Sequence, residues 1–154
     1  MFPKTHWVDY RTKVKLGFFK SVFRKSLQLL ARFCYFNGVR IFLYRLMGVK
    51  IGPKVYIGFD CFIDSDFSEL ITIENNVIIS FRVIVVAHDR NREHAAPVVI
   101  RSEAFIGAGA IVLPGVEVGK KAVVGAGAVV SRDVPDGATA VGNPAQIVKS
   151  SGEE

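Results

Sequence analysis

The chain has 154 residues, half of them hydrophobic, with 20 Lys/Arg against 14 Asp/Glu and a net charge of +6. That length suits one domain with a real core, and no uninterrupted apolar run approaches a membrane span. The first fifteen residues scatter Arg, Lys and Asp where a secretory signal would be apolar. Two cysteines, Cys34 and Cys61, make no disulfide framework, so a reducing cytoplasm is the expected compartment.

The charge is unevenly placed. Residues 1–50 hold eleven Lys/Arg and one acid, Asp9, for +10; the remainder holds nine Lys/Arg and thirteen acids, for −4. A basic segment on a mildly acidic body is not the uniform cationic surface of a nucleic-acid binder, and no nucleic-acid partner is expected.

Residues 1–14 are polar and carry no pattern. Residues 15–36 read as an amphipathic helix, with Phe19, Val22, Phe23, Leu27 and Leu30 at helical spacing and Lys20, Arg24, Lys25, Gln28 and Arg32 tending to the other side. Asn37-Gly38 is a stop signal, and a second short helix over Val39–Met47 closes at Gly48. Residues 1–47 are thus a basic helical segment with two roles open. Its apolar face packs on the body or a neighbouring subunit, or residues 15–47 lie peripherally on an anionic membrane surface.

From Ile51 an aliphatic residue returns every six positions: Ile51, Ile57, Ile63, then Ile73, Ile79, Val85, then Ile100, Ile106, Val112, Val118, Val124 and Val130. Two residues before most of these stands a small or β-branched one, among them Val55, Cys61, Ala104, Ala110, Val116, Ala122 and Ala128. A strict period of six fits neither a helix nor a flat strand. It fits a parallel β-helix, an all-β solenoid whose short strands alternate with sharp corners around a narrow prism. Gly107, Gly119 and Gly125 directly follow aliphatics, where glycine is expected to ease the chain round a corner.

Two steps are irregular. Four extra residues between Ile63 and Ile73 imply a corner bulging around Phe67–Leu70. Fifteen residues separate Val85 from Ile100, with a polar loop over Asp89–Pro97 and one or two repeats left open within the interval. After Val130 the period decays through Pro135, Val141–Pro144 is a turn, and Ala145–Lys149 packs back. Three hexads per coil give about four coils over residues 48–149, a frayed tail over 150–154, and helices covering the open end.

The stretches VVAHD at 85–89, IRSEAFIGAGAIVLPGVEVG at 100–119 and VVGAGAVVSRDVPDGATAVGNPAQIV at 123–148 resemble the hexapeptide-repeat acetyltransferases. The galactoside/maltose O-acetyltransferase type and the polysaccharide O-acetyltransferases are the nearest branches. The resemblance covers residues 48–149 and is less specific before them. It implies a left-handed parallel β-helix, an exception to right-handed crossovers, a closed homotrimer with sites between neighbouring prisms, acetyl-CoA as acyl donor and a sugar-type acceptor.

The resemblance makes His88 the general base, and an imidazole titrates near working pH, as proton exchange with a hydroxyl and a thiolate requires. Asp89, adjacent on a strand, points the opposite way and reads as a loop residue. Asp60 and Asp64 are either acceptor contacts or exposed corner acids. Phe105 stands where relatives place an aromatic beside the cofactor arm. Ala108 and Ala126 match cofactor contact positions, with the Ala108 N–H as donor to the thioester oxygen. Ser131, Arg132 and Lys149 match polar and basic contacts to the CoA phosphates. Gln146 departs from the Arg of some relatives, which shifts attention to Lys120 or Lys121. No metal is expected, because only His6, His88 and His94 are available and none lies in the coils before His88. No nucleophilic serine or cysteine motif points to a covalent intermediate. The expected activity is acetyl-CoA-dependent O-acetylation of a sugar or polysaccharide-precursor hydroxyl, in the cytoplasm or peripherally at the inner membrane face. The alternatives are N-acetylation of an amino sugar, acetylation of serine or a xenobiotic, or a non-catalytic membrane-associated β-helix module.

Overall fold

The computed structural model describes residues 8–9, 18–89, 91 and 93–149. Short parallel strands stack into three faces of a prism. The first face holds Lys50–Ile51, Ile71–Ile73, Val98–Ile100 and Glu117–Val118. The second holds Tyr56–Ile57, Ile78–Ile79, Phe105–Ile106, Val123–Val124 and Thr139–Val141, and the third Phe62–Ile63, Ile84–Val85, Ile111–Val112 and Val129–Val130. Four full coils result, with a partial fifth through Val134 and Thr139–Val141.

The period of six is one residue pointing inward per face per coil. From Ile57 to Val130 every inward aliphatic is at most 1% exposed, and each such burial contributes about 1.5–3 kcal/mol. Three residues after the inward aliphatic the chain turns left-handed, with φ between 55° and 80° at Lys54, Asp60, Asn76, Arg82, Glu103, Gly109, Gly115, Lys121, Gly127 and Gly137. The glycines directly after the aliphatics therefore do a different job from the one expected. A Cβ on Gly107 would lie 2.6 Å from the Ala126 nitrogen, and one on Gly58 2.5 Å from the Phe81 nitrogen. They are glycine because the next coil's backbone passes too close for a side chain.

No repeat hides between Val85 and Ile100. They are consecutive prism positions, and the extra residues leave at the corner joining the third face to the first. The excursion is more ordered than the expected loop. His88–Asp89 pairs antiparallel with His94–Ala95, and Val8–Asp9 pairs on the other side of that strand. A two-residue strand leaves no periodicity, so Val8–Asp9 carried no pattern to read.

Helix α1 spans Phe18–Phe33 and α2 spans Asn37–Met47; Lys15 to Gly17 fall outside the described residues, as does the tail after Lys149. Asn37 opens α2 rather than ending the first helix. Its side-chain oxygen accepts from the Ile57 N–H at 3.0 Å and its amide donates to the Val55 carbonyl at 3.1 Å. Other side chains treat the first coil likewise. Gln28 donates to the Ile63 carbonyl at 2.9 Å, the Tyr44 hydroxyl to Cys61 at 2.8 Å, Arg40 to Ile57, and Arg45 to Ile51 and Gly52. A parallel ladder's first coil would otherwise present unpaired carbonyls. The helices are a cap, with Leu27, Ala31, Ile41, Tyr44 and Met47 buried beneath. Phe19 and Phe23, from the same apolar series, are exposed.

Candidate active site

Both irregular steps leave the prism at the same corner on consecutive coils, and this builds the site. Asp64 is the first residue beyond Ile63, and its N–H donates to the Val85 carbonyl at 3.0 Å. It therefore lies against the segment Val86–His88 of the next coil. One carboxylate oxygen accepts from the Asp66 N–H at 3.0 Å and the Phe67 N–H at 3.3 Å, which starts the turn leading to a short 3-10 segment at Ser68–Leu70. The other oxygen accepts from the Ala87 N–H at 3.0 Å and sits 2.5 Å from Nδ1 of His88. Phe67, buried, tilts its ring against the imidazole with centroids 5.3 Å apart. The imidazole, 19% exposed, is held from two sides.

Asp64 is thus revised from both sequence readings. It is 1% exposed with both oxygens engaged by the chain, so it is neither an exposed corner acid nor turned to an acceptor. It sets a carboxylate against the imidazole from the coil before.

Asp60 lies at the opposite edge of the third face, on the second-to-third corner. Arg32 of the cap donates to it from Nη2 at 2.5 Å and Nε at 2.9 Å, and Arg82 Nε stands 4.0 Å away. These residues, with Phe62, Phe81, Ile84, Ala108 and Gly109, line a groove of about 770 Å³. Ala126 sits one coil beyond Ala108 on this corner, where the Gly127 N–H donates to the Ala108 carbonyl at 2.8 Å. Gly107 and Gly109 donate into the inter-coil ladder, to Val124 and Phe81, whereas the Ala108 N–H between them has no such bond among the described residues. A Cβ on Gly109 or Gly127 would meet nothing within 4 Å, so the corner is clear for an extended ligand.

The remaining candidates are spread along the prism. Phe105 is half-exposed on the second face, between Ile78 and Val123. Ser131 and Arg132 follow the third face two coils beyond His88, with Arg132 exposed. Lys149 ends a strand antiparallel to Thr139–Val141, and Gln146 begins it. Lys120 and Lys121 lean on Glu103 at 3.8 and 3.7 Å. Among the described residues no three His, Cys, Asp or Glu side chains converge as a metal site. Within one chain, His88 and the Ala108 corner occupy opposite edges of the third face. Sequence reading missed Phe67, Arg32, Phe81 and Arg82. Of these only Phe67 left a signal, standing just after an Asp-Ser-Asp turn at the head of an insertion.

Residues 97–132 match the family model of the bacterial transferase hexapeptide (six repeats). Over 150 residues the chain is 35% identical to "Putative acetyltransferase YvoF" of Bacillus subtilis (strain 168), across 96% of this chain and 86% of that one. The chain belongs to the hexapeptide-repeat acetyltransferase family. Among solved structures it resembles a galactoside acetyltransferase in complex with coenzyme A, with a TM-score of 0.68, 22% identity and coverage of 92% and 88% of the two chains. It also resembles a hexapeptide-repeat acetyltransferase of Vibrio cholerae O1 biovar eltor complexed with acetyl coenzyme A, at 0.65, 21%, 87% and 88%. These likenesses make the prism a left-handed parallel β-helix.

Proposed function

We propose that this chain transfers an acetyl group from acetyl-CoA to a hydroxyl of a sugar or polysaccharide precursor, with His88 as general base. The observation that carries the reading is the Asp64–His88 pair, 2.5 Å apart at a buried carboxylate. A carboxylate on Nδ1 fixes ring orientation and tautomer, so Nε2 is the nitrogen that takes the proton. The acceptor oxygen attacks the thioester carbon as its proton passes to Nε2. The carbon–sulfur bond breaks, and the thiolate recovers the proton. The Ala108 N–H is the donor available to the thioester oxygen as charge develops. Arg132 and Lys149 are assigned to the CoA phosphates, Phe105, Ala126 and Ser131 to the pantetheine arm, and Asp60 with Arg82 to the acceptor.

A closed homotrimer supports the same chemistry. The second face turns Tyr56, Ile78, Phe105 and Val123 outward, a ladder of half-exposed apolar residues, whereas the first turns out Lys50, Thr72, Val99 and Glu117. Neighbouring prisms packed on the apolar side would bring one copy's His88 edge toward the next copy's Ala108 corner.

The test is thiol release from acetyl-CoA across a panel of sugars, amino sugars and serine. His88→Ala should lower turnover about a hundred- to ten-thousandfold without unfolding the chain. Near wild-type turnover in that variant, or transfer to amines alone, overturns the assignment. Arg132→Ala and Lys149→Ala should raise KM for acetyl-CoA more than for the acceptor; equal values would leave them surface charges.

A further inference from the structure

The side of the cap turned away from the prism is apolar. On α1 the residues meeting the first coil form one stripe, Arg24, Leu27, Gln28 and Ala31. The opposite stripe, where a cap helix normally shows polar residues to solvent, carries Phe23, Leu29 and Leu30, while Phe33 at the helix end sets its ring edge-on to Phe59 of the first coil. Phe42 and Leu46 continue it on α2, and these five are 52–62% exposed. This is a contiguous surface across two helices, not scattered single residues.

Its charge says what covers it. Residues 18–59 contain eight Lys/Arg and no Asp or Glu. The acids that pair with cap cations, Asp60, Asp66 and Glu69, belong to the body. Lys20 and Lys25, both exposed, border the apolar stripe on its two sides by helical spacing. A second copy docked by the same face would oppose two acid-free cationic surfaces. Anionic headgroups around an apolar layer complement both features at once. Among the described residues no helix is long and apolar enough to cross a membrane.

We propose that the outer face of α1 and α2 docks this chain peripherally on an anionic bilayer, with the apolar stripe at the headgroup boundary and Lys20 and Lys25 against phosphates. The prism then projects into solvent from the covered end.

The experiment is co-sedimentation of the full chain with phosphatidylcholine vesicles, with and without about a third of phosphatidylglycerol. Wild type should bind the anionic vesicles at low salt, release at high salt and bind neutral ones much less. Leu29→Ser/Leu30→Ser/Phe42→Ser and Lys20→Glu should each weaken the partition about tenfold or more, with Lys25 left in place because it pairs with Asp66 at 4.0 Å. Circular dichroism should show both variants folded, since neither set bonds the helices to the first coil. Acetyl transfer to a soluble acceptor should stay at the wild-type rate, so failure here is distinguishable from failure of the catalytic assignment. Absence of binding to anionic vesicles, or undiminished binding by the triple variant, overturns the proposal. So does a triple variant that changes oligomeric mass in light scattering while its vesicle binding is unchanged, which would make the face an interface between copies.

Discussion

Asp64→Asn tests the site most sharply, because it exchanges one heavy atom and leaves the volume nearly alone. The carboxylate receives three backbone N–H groups and the imidazole on its two oxygens, so every neighbour is a donor. An amide has one oxygen to offer. If that oxygen faces His88 and Ala87, the NH₂ is pushed against the N–H groups of Asp66 and Phe67. If it faces the turn, the NH₂ meets the Ala87 N–H and Nδ1, and the imidazole must take the other tautomer, with its proton on Nε2. The first arrangement leaves buried donors unsatisfied at about 1–3 kcal/mol, or roughly 2–12 °C in melting temperature for a chain of this size. The second removes the base, and where a carboxylate's role is to set the tautomer the rate falls by up to about ten-thousandfold. We expect kcat to fall about a hundred- to a thousandfold with KM for acetyl-CoA little changed. Because Asp64 acts through His88, the double variant with His88→Ala should be no slower than His88→Ala alone. Thiol release under saturating substrates, with a thermal melt of each variant, measures both quantities. Turnover of Asp64→Asn within about threefold of wild type, or losses that multiply in the double variant, would refute the positioning role.

Burial pushes the Cys61 thiol up from its ordinary value, with the sulfur inside the first coil against the Ser80 carbonyl. Iodoacetamide should therefore label Cys34 in the native chain and reach Cys61 only on unfolding. Gly58→Ala should destabilise by more than about 2 kcal/mol in urea, because its Cβ would collide with backbone on the next coil. Gly109→Ala meets no atom, and should cost only about 1–2 kcal/mol from its φ of +68°. Hydrogen bonds from Ser102, with the Arg101 guanidinium beside it, hold the Glu74 carboxyl below its usual range. A depressed carboxyl contributes stability above its unfolded value, near 4.3, and loses it as pH falls through its folded value. Glu74→Gln should therefore lower stability at neutral and alkaline pH, change it little at the lowest pH, and so flatten the acid limb of a stability–pH curve.

The prism was legible because an inward aliphatic every six residues has no competing explanation, and its phase survives both insertions. The site was legible in its parts and not in its assembly. His88 stood out by its motif. Its pairing with Asp64 depends on two insertions at one corner of consecutive coils, and the open count of repeats after Val85 concealed that coincidence. Asp60 was placed on a corner, yet its partner Arg32 lies 28 residues earlier on a helix whose docking face no local pattern defines. The same holds for the cap. Its contacts run from side chains to first-coil carbonyls, and hydrophobic periodicity registers only apolar spacing. Both faces of α1 are apolar in part, so periodicity alone assigns neither to the body.

A stack of parallel coils has no inherent length, since each new coil offers the next one the same ladder. This chain stops the series at both ends. At one, Asn37, Arg40, Tyr44 and Gln28 occupy first-coil backbone groups. At the other, Gln146–Lys149 reverses direction against Thr139–Val141, while the Ala145 N–H takes the Val129 carbonyl. An antiparallel strand at the finish presents the wrong polarity for a following coil, so two molecules cannot join end to end as a continuing helix. Growth into fibres is blocked by the geometry of four residues at the C-terminal end, and by a helical lid at the other whose outer side is reserved for something other than β-structure.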